Sequence, residues 1–209
     1  MTKKFVYLCG RSGAGKDTCA DYIIKLAEKN GKKAIKYSLG DPLKIMLKEF
    51  IFAFKGVDID IEEFYNSYDK ERDRIDMGVI NNINDRTSEA KPFSLRRSMQ
   101  TVGTDILENK MDKYMFIKLV HNYFKEKYDE YDIFILADGR KPEQLEYFKR
   151  KNKYYEVQSI KIFRDEYLKN DTAEHLSEKI FAEIVTDHII YNYDDIETFY
   201  ANIEAVIKF

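Results

Sequence analysis

The residue types best suited to chemistry stand together near the start of the chain, in Gly10-Arg-Ser12-Gly13-Ala14-Gly15-Lys16-Asp17-Thr18. Glycines at 10, 13 and 15 let the backbone turn with several N–H groups directed inward, and such a turn is a nest for oxyanions. Lys16 adds a point charge that can reach outer phosphates, and a helix opening at the lysine adds the partial positive charge of its N-terminus. The natural ligand of this stretch is a polyphosphate. The usual pattern has Ser or Thr directly after the lysine; here Asp17 takes that place and Thr18 follows one step later.

Such a loop works only between a strand and a helix, and both are legible. Phe5-Val-Tyr-Leu-Cys9 is a continuous apolar run, the pattern of a strand buried on both faces. After the loop, Cys19, Ala20, Ile23, Ile24 and Ala27 fall on one face of a helix that Asn30-Gly31 would stop. Lys33 to Tyr37 reads as a second strand, and Asp41-Pro42 as the N-cap and first turn of a helix running to about Phe54. From Gly56 to Pro92 charged residues crowd the chain, which predicts an inserted, mostly exposed helical segment and loop. The run from Ser94 to Asp105 predicts a helix ending near Gly103. Met115, Phe116, Leu119, Val120, Tyr123 and Phe124 predict a long helix from Asp112 to about Tyr128. A third strand, Asp132 to Ala137, runs into Asp138-Gly139-Arg140, a carboxylate and a guanidinium at the strand end where open α/β sheets place their ligands. A helix from about Pro142 to Lys151, a strand from Glu156 to Phe163 ending at Arg164, a polar run from Asp165 to Lys179, a fifth strand from Asp187 to Tyr191 and a closing helix from Ile196 complete the order. Strands alternating with helices indicate a mainly parallel sheet wound right-handed.

Composition bounds the partners. With 209 residues, 44% hydrophobic, the chain can bury one full core. Its 35 basic and 37 acidic residues leave a formal charge of -2, so no general attraction to nucleic acid or to a membrane is expected. No apolar segment near the N-terminus is long enough for a signal peptide or a membrane span, which predicts a cytoplasmic protein. The two cysteines, Cys9 and Cys19, fall on predicted core positions and read as reduced packing residues.

In chain order, Gly-Lys-Asp-Thr at 15 to 18, Asp-Pro-Leu-Lys at 41 to 44, Arg-x-x-x-Gln at 96 to 100 with Gly-Thr-Asp at 103 to 105, Asp-x-Arg at 138 to 140 and His-x-Ser-Glu at 175 to 178 resemble the phage-type deoxynucleoside monophosphate kinases. The likeness covers nearly the whole chain. It implies a P-loop NTPase of the adenylate-kinase-like type, a three-layer α/β/α domain spanning residues 1–209. Its five-stranded parallel sheet would run in the order 2-3-1-4-5, with a mobile monophosphate-binding and insert region over about 41–105 and a lid over about 164–180. The middle residue of Asp138-Gly-Arg departs from the family's more usual Val or Thr.

The resemblance also implies roles, with ATP as donor, Mg²⁺ bridging its outer phosphates and a nucleoside monophosphate as acceptor. Gly10, Ser12, Gly13, Ala14, Gly15, Lys16, Asp17 and Thr18 would hold the donor, and Asp138 would organise Mg²⁺ and its waters, with Asp17 as a second group acting through water. Arg96 and Arg140 would clamp the acceptor phosphate, because planar guanidinium pairs bidentately with phosphate oxygens. Arg164 would meet the transferred group when the lid closes. Asp41, Lys44, Gln100 and Asp105 complete the acceptor side, and a homodimer stays open. His175 would be a hydrogen-bonding lid residue and not a catalyst.

Two rivals remain at this point. Asn109-Lys-Met-Asp112 matches the guanine signature of GTP-dependent switches, but it follows no predicted strand, and no glycine in the chain has an aspartate three residues before it. Kinases of other small acceptors, such as dephospho-coenzyme A or phosphomevalonate, would share the same loop and sheet.

Overall fold

The computed structural model describes residues 2–55, 100–164, 183–193 and 195–208. Arg96, the charged stretch from Gly56 to Pro92 and the segment 165–180 with His175 lie outside the described residues. The chain divides into two compact units, Met1–Leu39 with Ile117–Phe209, and Gly40–Phe116.

The first unit is built on a five-stranded sheet in the order β2-β3-β1-β4-β5, every neighbouring pair parallel. The strands are β1 (Lys3–Gly10), β2 (Ala34–Tyr37), β3 (Ile133–Gly139), β4 (Tyr155–Phe163) and β5 (His188–Tyr191). The all-apolar strand takes the centre: Phe5 to Cys9 are fully buried, because β1 pairs on both edges and carries helices on both faces. Alternate side chains serve different layers. Val6 and Leu8 join Ile135, Ala137, Ile160 and Ile162 against α1 (Lys16–Lys29) and the C-terminal helix Ile196–Val206, which contributes Phe199 and Ile203. On the opposite face Phe5 stacks on Phe148 at 3.8 Å between centroids and meets Phe124 edge-on at 6.0 Å. These rings come from the helices Pro142–Lys149 and Met115–Glu126. The result is helix, sheet, helix.

Local signals explain the ends. Asn30 donates its side-chain amide to Leu26 O, and Gly31 takes φ 65, so α1 stops at the predicted pair. Asp195 accepts from Thr198 N and caps the last helix.

The second unit contains α2 (Asp41–Lys55) and α3 (Gln100–Met111). Around these helices four expectations are corrected. Asp41 is the first helical residue and not the cap: Lys44 N bonds to Gly40 O, so the turn already closes on Gly40. Gly103 does not end a helix. It lies inside α3, which has π-helical winding and continues to Met111, and a Cβ at Gly103 would lie 2.5 Å from Leu43 Cδ2. The glycine is there for the close approach of α2 to α3, not for a turn. The long helix expected from Asp112 starts instead at Met115, because the Asp112 carboxylate accepts from Tyr114 N and its carbonyl from Met115 N, forming a capping turn. We number this helix α4 (Met115–Glu126), followed by α5 (Pro142–Lys149) and α6 (Ile196–Val206). Leu119, assigned to the apolar face of α4, is 42% exposed, while Ile117 and His121 are buried there instead.

Candidate active site

The glycine loop leaves the C-terminal end of the central strand, where the backbone amides of a parallel sheet's loops and of a helix start are available to a ligand. Gly13 and Gly15 both have positive φ, 75 and 100, so the turn needs residues without a Cβ at these two positions. Gly15 is also hemmed in: a Cβ would lie 2.6 Å from Asn192 Nδ2 and 3.5 Å from the Phe199 ring. Gly15 O accepts from Cys19 N and opens α1, with Asp17 in the first turn, where a carboxylate complements the helix dipole. Ser12, Gly13 and Asp17 are exposed, Gly10, Gly15 and Thr18 half-buried and Ala14 buried.

Lys16 folds over its own loop. Nζ donates to Gly10 O at 2.9 Å and Arg11 O at 2.8 Å. Burial pulls the ammonium below the ordinary lysine value, Asp138 pulls it back up and Arg140 pushes it down again. The charges of Asp138 and Arg140 thus both act on the Lys16 ammonium.

The Asp138-Gly-Arg140 turn is held from three sides and by one contact within it. Asp138 Oδ1 accepts from Leu39 N at 2.6 Å, which ties β3 to the end of the segment after β2. Its other oxygen faces Arg140 Nη2 at 3.8 Å, the guanidine side chain 62% exposed against 17% for the carboxylate. Gln144 Oε1 accepts from both Arg140 N and Lys141 N, at 2.8 and 3.0 Å, closing the first turn of α5. Below, Tyr7 OH donates to Lys141 O at 3.1 Å. The sequence missed Tyr7, and the departure at Gly139 was the signal that could have found it. A Cβ on Gly139 would lie 2.2 Å from Tyr7 Cζ, so the large ring on β1 takes the space that Val or Thr would fill. Beside this pair β3 carries an extra residue: Tyr7 faces Leu136 and Cys9 faces Gly139, a bulge that re-aims the strand end bearing Asp138.

The other assigned residues sit as follows. Arg164 directly follows β4 and is half-buried. Asp41 and Lys44 lie in the first turn of α2 as a 3.7 Å ion pair, Gln100 opens α3 and Asp105 is an exposed residue of α3, all four in the second unit. Asn109 to Met111 are the end of that same helix, a setting unlike a guanine-reading loop after a strand. The sequence reading also missed Asn192, whose amide donates to Ala14 O at 3.0 Å.

The profile of the deoxynucleotide monophosphate kinase family matches residues 45–203. The chain belongs to this family. It is 24% identical to the deoxynucleotide monophosphate kinase of Enterobacteria phage T4 over 249 aligned positions, covering 98% of this chain and 99% of the relative. It is also 24% identical to that of Escherichia phage RB69, covering 98% and 100%. Among solved structures it aligns with an unliganded sugar kinase from Janibacter, 10% identical, TM-score 0.44, covering 97% of this chain and 93% of the other, a score that carries no argument. The kinase is thus a phosphotransferase acting on small molecules, and the reaction is phosphorylation of a nucleoside monophosphate. No helix among the described residues is long and apolar enough to cross a membrane.

Proposed function

We propose that the kinase moves the terminal phosphoryl group of ATP to a deoxynucleoside monophosphate, with the donor phosphates on residues 10–18. The observation that carries the donor assignment is the positive-φ glycine loop with the half-buried Lys16 folded over it, bonded to that loop's own carbonyls, where the charges of Asp138 and Arg140 act on the ammonium. On binding, Lys16 exchanges two neutral carbonyls for phosphate oxygens, which are stronger acceptors.

A Mg²⁺ ion fits this reading. Such an ion in phosphoryl-transfer sites takes one or two carboxylates and fills its remaining positions with waters and substrate phosphates. The site offers Asp138, with one oxygen bonded to Leu39 N and the other facing Arg140 at 3.8 Å, and the exposed carboxylate of Asp17, next to Lys16 in sequence. When bound, the ion would neutralise charge on the outer phosphates. The chain's own part is to position: Arg140 and Arg96 hold the acceptor phosphate, Arg164 meets the moving group, and Asp41, Lys44, Gln100 and Asp105 serve the acceptor. No general base is required for a phosphate nucleophile, so the cost of catalysis falls on alignment and charge. Both substrates belong to the cytoplasm, where we place the enzyme.

The test is a coupled assay of ATP consumption against the deoxy and ribo forms of each nucleoside monophosphate, with dephospho-coenzyme A, phosphomevalonate and GTP alone as controls. Turnover with at least one deoxynucleotide above all controls is expected. Turnover confined to a control acceptor would overturn the reading.

A further inference from the structure

Asn192 stands at a junction of three parts of the first unit. Its backbone N donates to Phe163 O at 2.8 Å, tying the end of β5 to the end of β4 beside Arg164. Its side-chain amide crosses to the glycine loop, 178 residues earlier in the chain, and donates to Ala14 O at 3.0 Å. The Phe199 ring of α6 packs on the same side of Gly15.

The Ala14–Gly15 peptide is trans, and because a peptide unit is held flat by its partial double bond, its carbonyl and its N–H point in opposite directions. Pinning one sets the other. With Ala14 O held toward Asn192, the N–H of Gly15 must face away from β5 and α6. The left-handed conformation of Gly15, φ 100 and ψ 20, is what lets the chain enter α1 from that orientation. A side chain on Gly15 would collide with the Asn192 amide, so the small residue and the amide are matched.

We infer that Asn192 is a positioning residue for the donor site: it fixes the Ala14–Gly15 peptide so that the Gly15 N–H is a preorganised donor to the donor's phosphates. This rests on the assignment of residues 10–18 as the donor cradle. Without the clamp, the glycine-flanked peptide can rotate and present its carbonyl to the anion, replacing an attractive dipole with a repulsive one. The amide must be a donor here, so Asn192→Asp, nearly the same in shape, places a carboxylate against a carbonyl and removes the clamp.

The experiment uses tripolyphosphate, which has no base or sugar, with ¹⁵N-glycine-labelled protein. In the wild type, titration should move the Gly15 amide resonance along with Gly13. In Asn192→Asp and Asn192→Ala the Gly15 response should be lost, and the dissociation constants of tripolyphosphate and ATP should rise together by about ten- to hundredfold, the usual cost of one hydrogen bond to a charged group. The acceptor KM and the unfolding midpoint without ligand should stay near wild type. Asn192→Ser, which keeps a short donor, should recover part of the affinity, and it serves as the readout should the larger changes prevent folding. Variants that bind tripolyphosphate as wild type does, or that lose acceptor and donor affinity in equal measure, would overturn the inference. Wild-type protein that binds neither tripolyphosphate nor ATP would remove the donor cradle itself.

Discussion

Lowering the pH from 7.5 to 5 should cost the kinase stability through His121, a residue given no part in the phosphate chemistry. His121 on α4 is 8% exposed, its Nδ1 lies 2.9 Å from Tyr147 OH, and Tyr147, Phe148 and Tyr155 stand edge-on around the ring. Burial, with help from Lys151 and Lys125, pulls its pKa to about 4. In the unfolded chain the ring titrates near the ordinary value of about 6.5. Between these two values the unfolded state binds a proton that the folded state refuses, so stability is full above about pH 6.5 and falls as the pH drops toward 4. At about 1.4 kcal/mol per pH unit, the loss from pH 7.5 to 5 is about 2 kcal/mol. Urea unfolding of wild type and of His121→Gln at both pH values isolates it, because glutamine keeps an acceptor for Tyr147 and does not titrate. The wild type should lose about 2 kcal/mol more than the variant across the interval. Equal losses, or an NMR titration that puts the folded ring near 6.5, would refute the reasoning.

Lys16→Ala should lower kcat by about 10²- to 10³-fold with little change in the unfolding midpoint, since the ammonium bonds only to carbonyls of its own loop among the described residues; near-normal turnover would take the loop out of the donor site. Gly139→Val should destabilise the protein by about 1–3 kcal/mol in chemical denaturation, because the new Cβ collides with Tyr7. Adding Tyr7→Ala to that variant should restore part of the loss, and a double variant no more stable than Gly139→Val would show that the ring is not the obstacle. Arg140→Ala, which removes a largely exposed side chain, should raise the acceptor KM in steady-state kinetics while leaving ATP affinity by calorimetry close to wild type; the reverse pattern would reassign the arginine.

What the sequence determined by itself was whatever depends on neighbours within a few residues. The run Phe5 to Cys9 could only be an interior strand, Gly13 and Gly15 could only mark a turn needing positive φ, and Asn30-Gly31 stops a helix through bonds three or four residues long. The order of strands and helices, and with it the parallel sheet, followed from those local periods, while the order 2-3-1-4-5 and the expected acceptor came from resemblance and not from any period. Tertiary structure decided what depends on which distant backbones come close. Gly103 looks like a helix stop until Leu43 is seen 2.5 Å from where its side chain would be. Gly139 looks like a departure from a pattern until Tyr7 fills its space, and Asp138 looks like a free metal ligand until Leu39 N is found on one oxygen. Asn192 carries no sign of its role in the sequence, yet it holds a peptide 178 residues away. A glycine or a short amide carries no sign in the sequence of whether it serves a turn or a close approach, because the atom that decides is contributed by a different element.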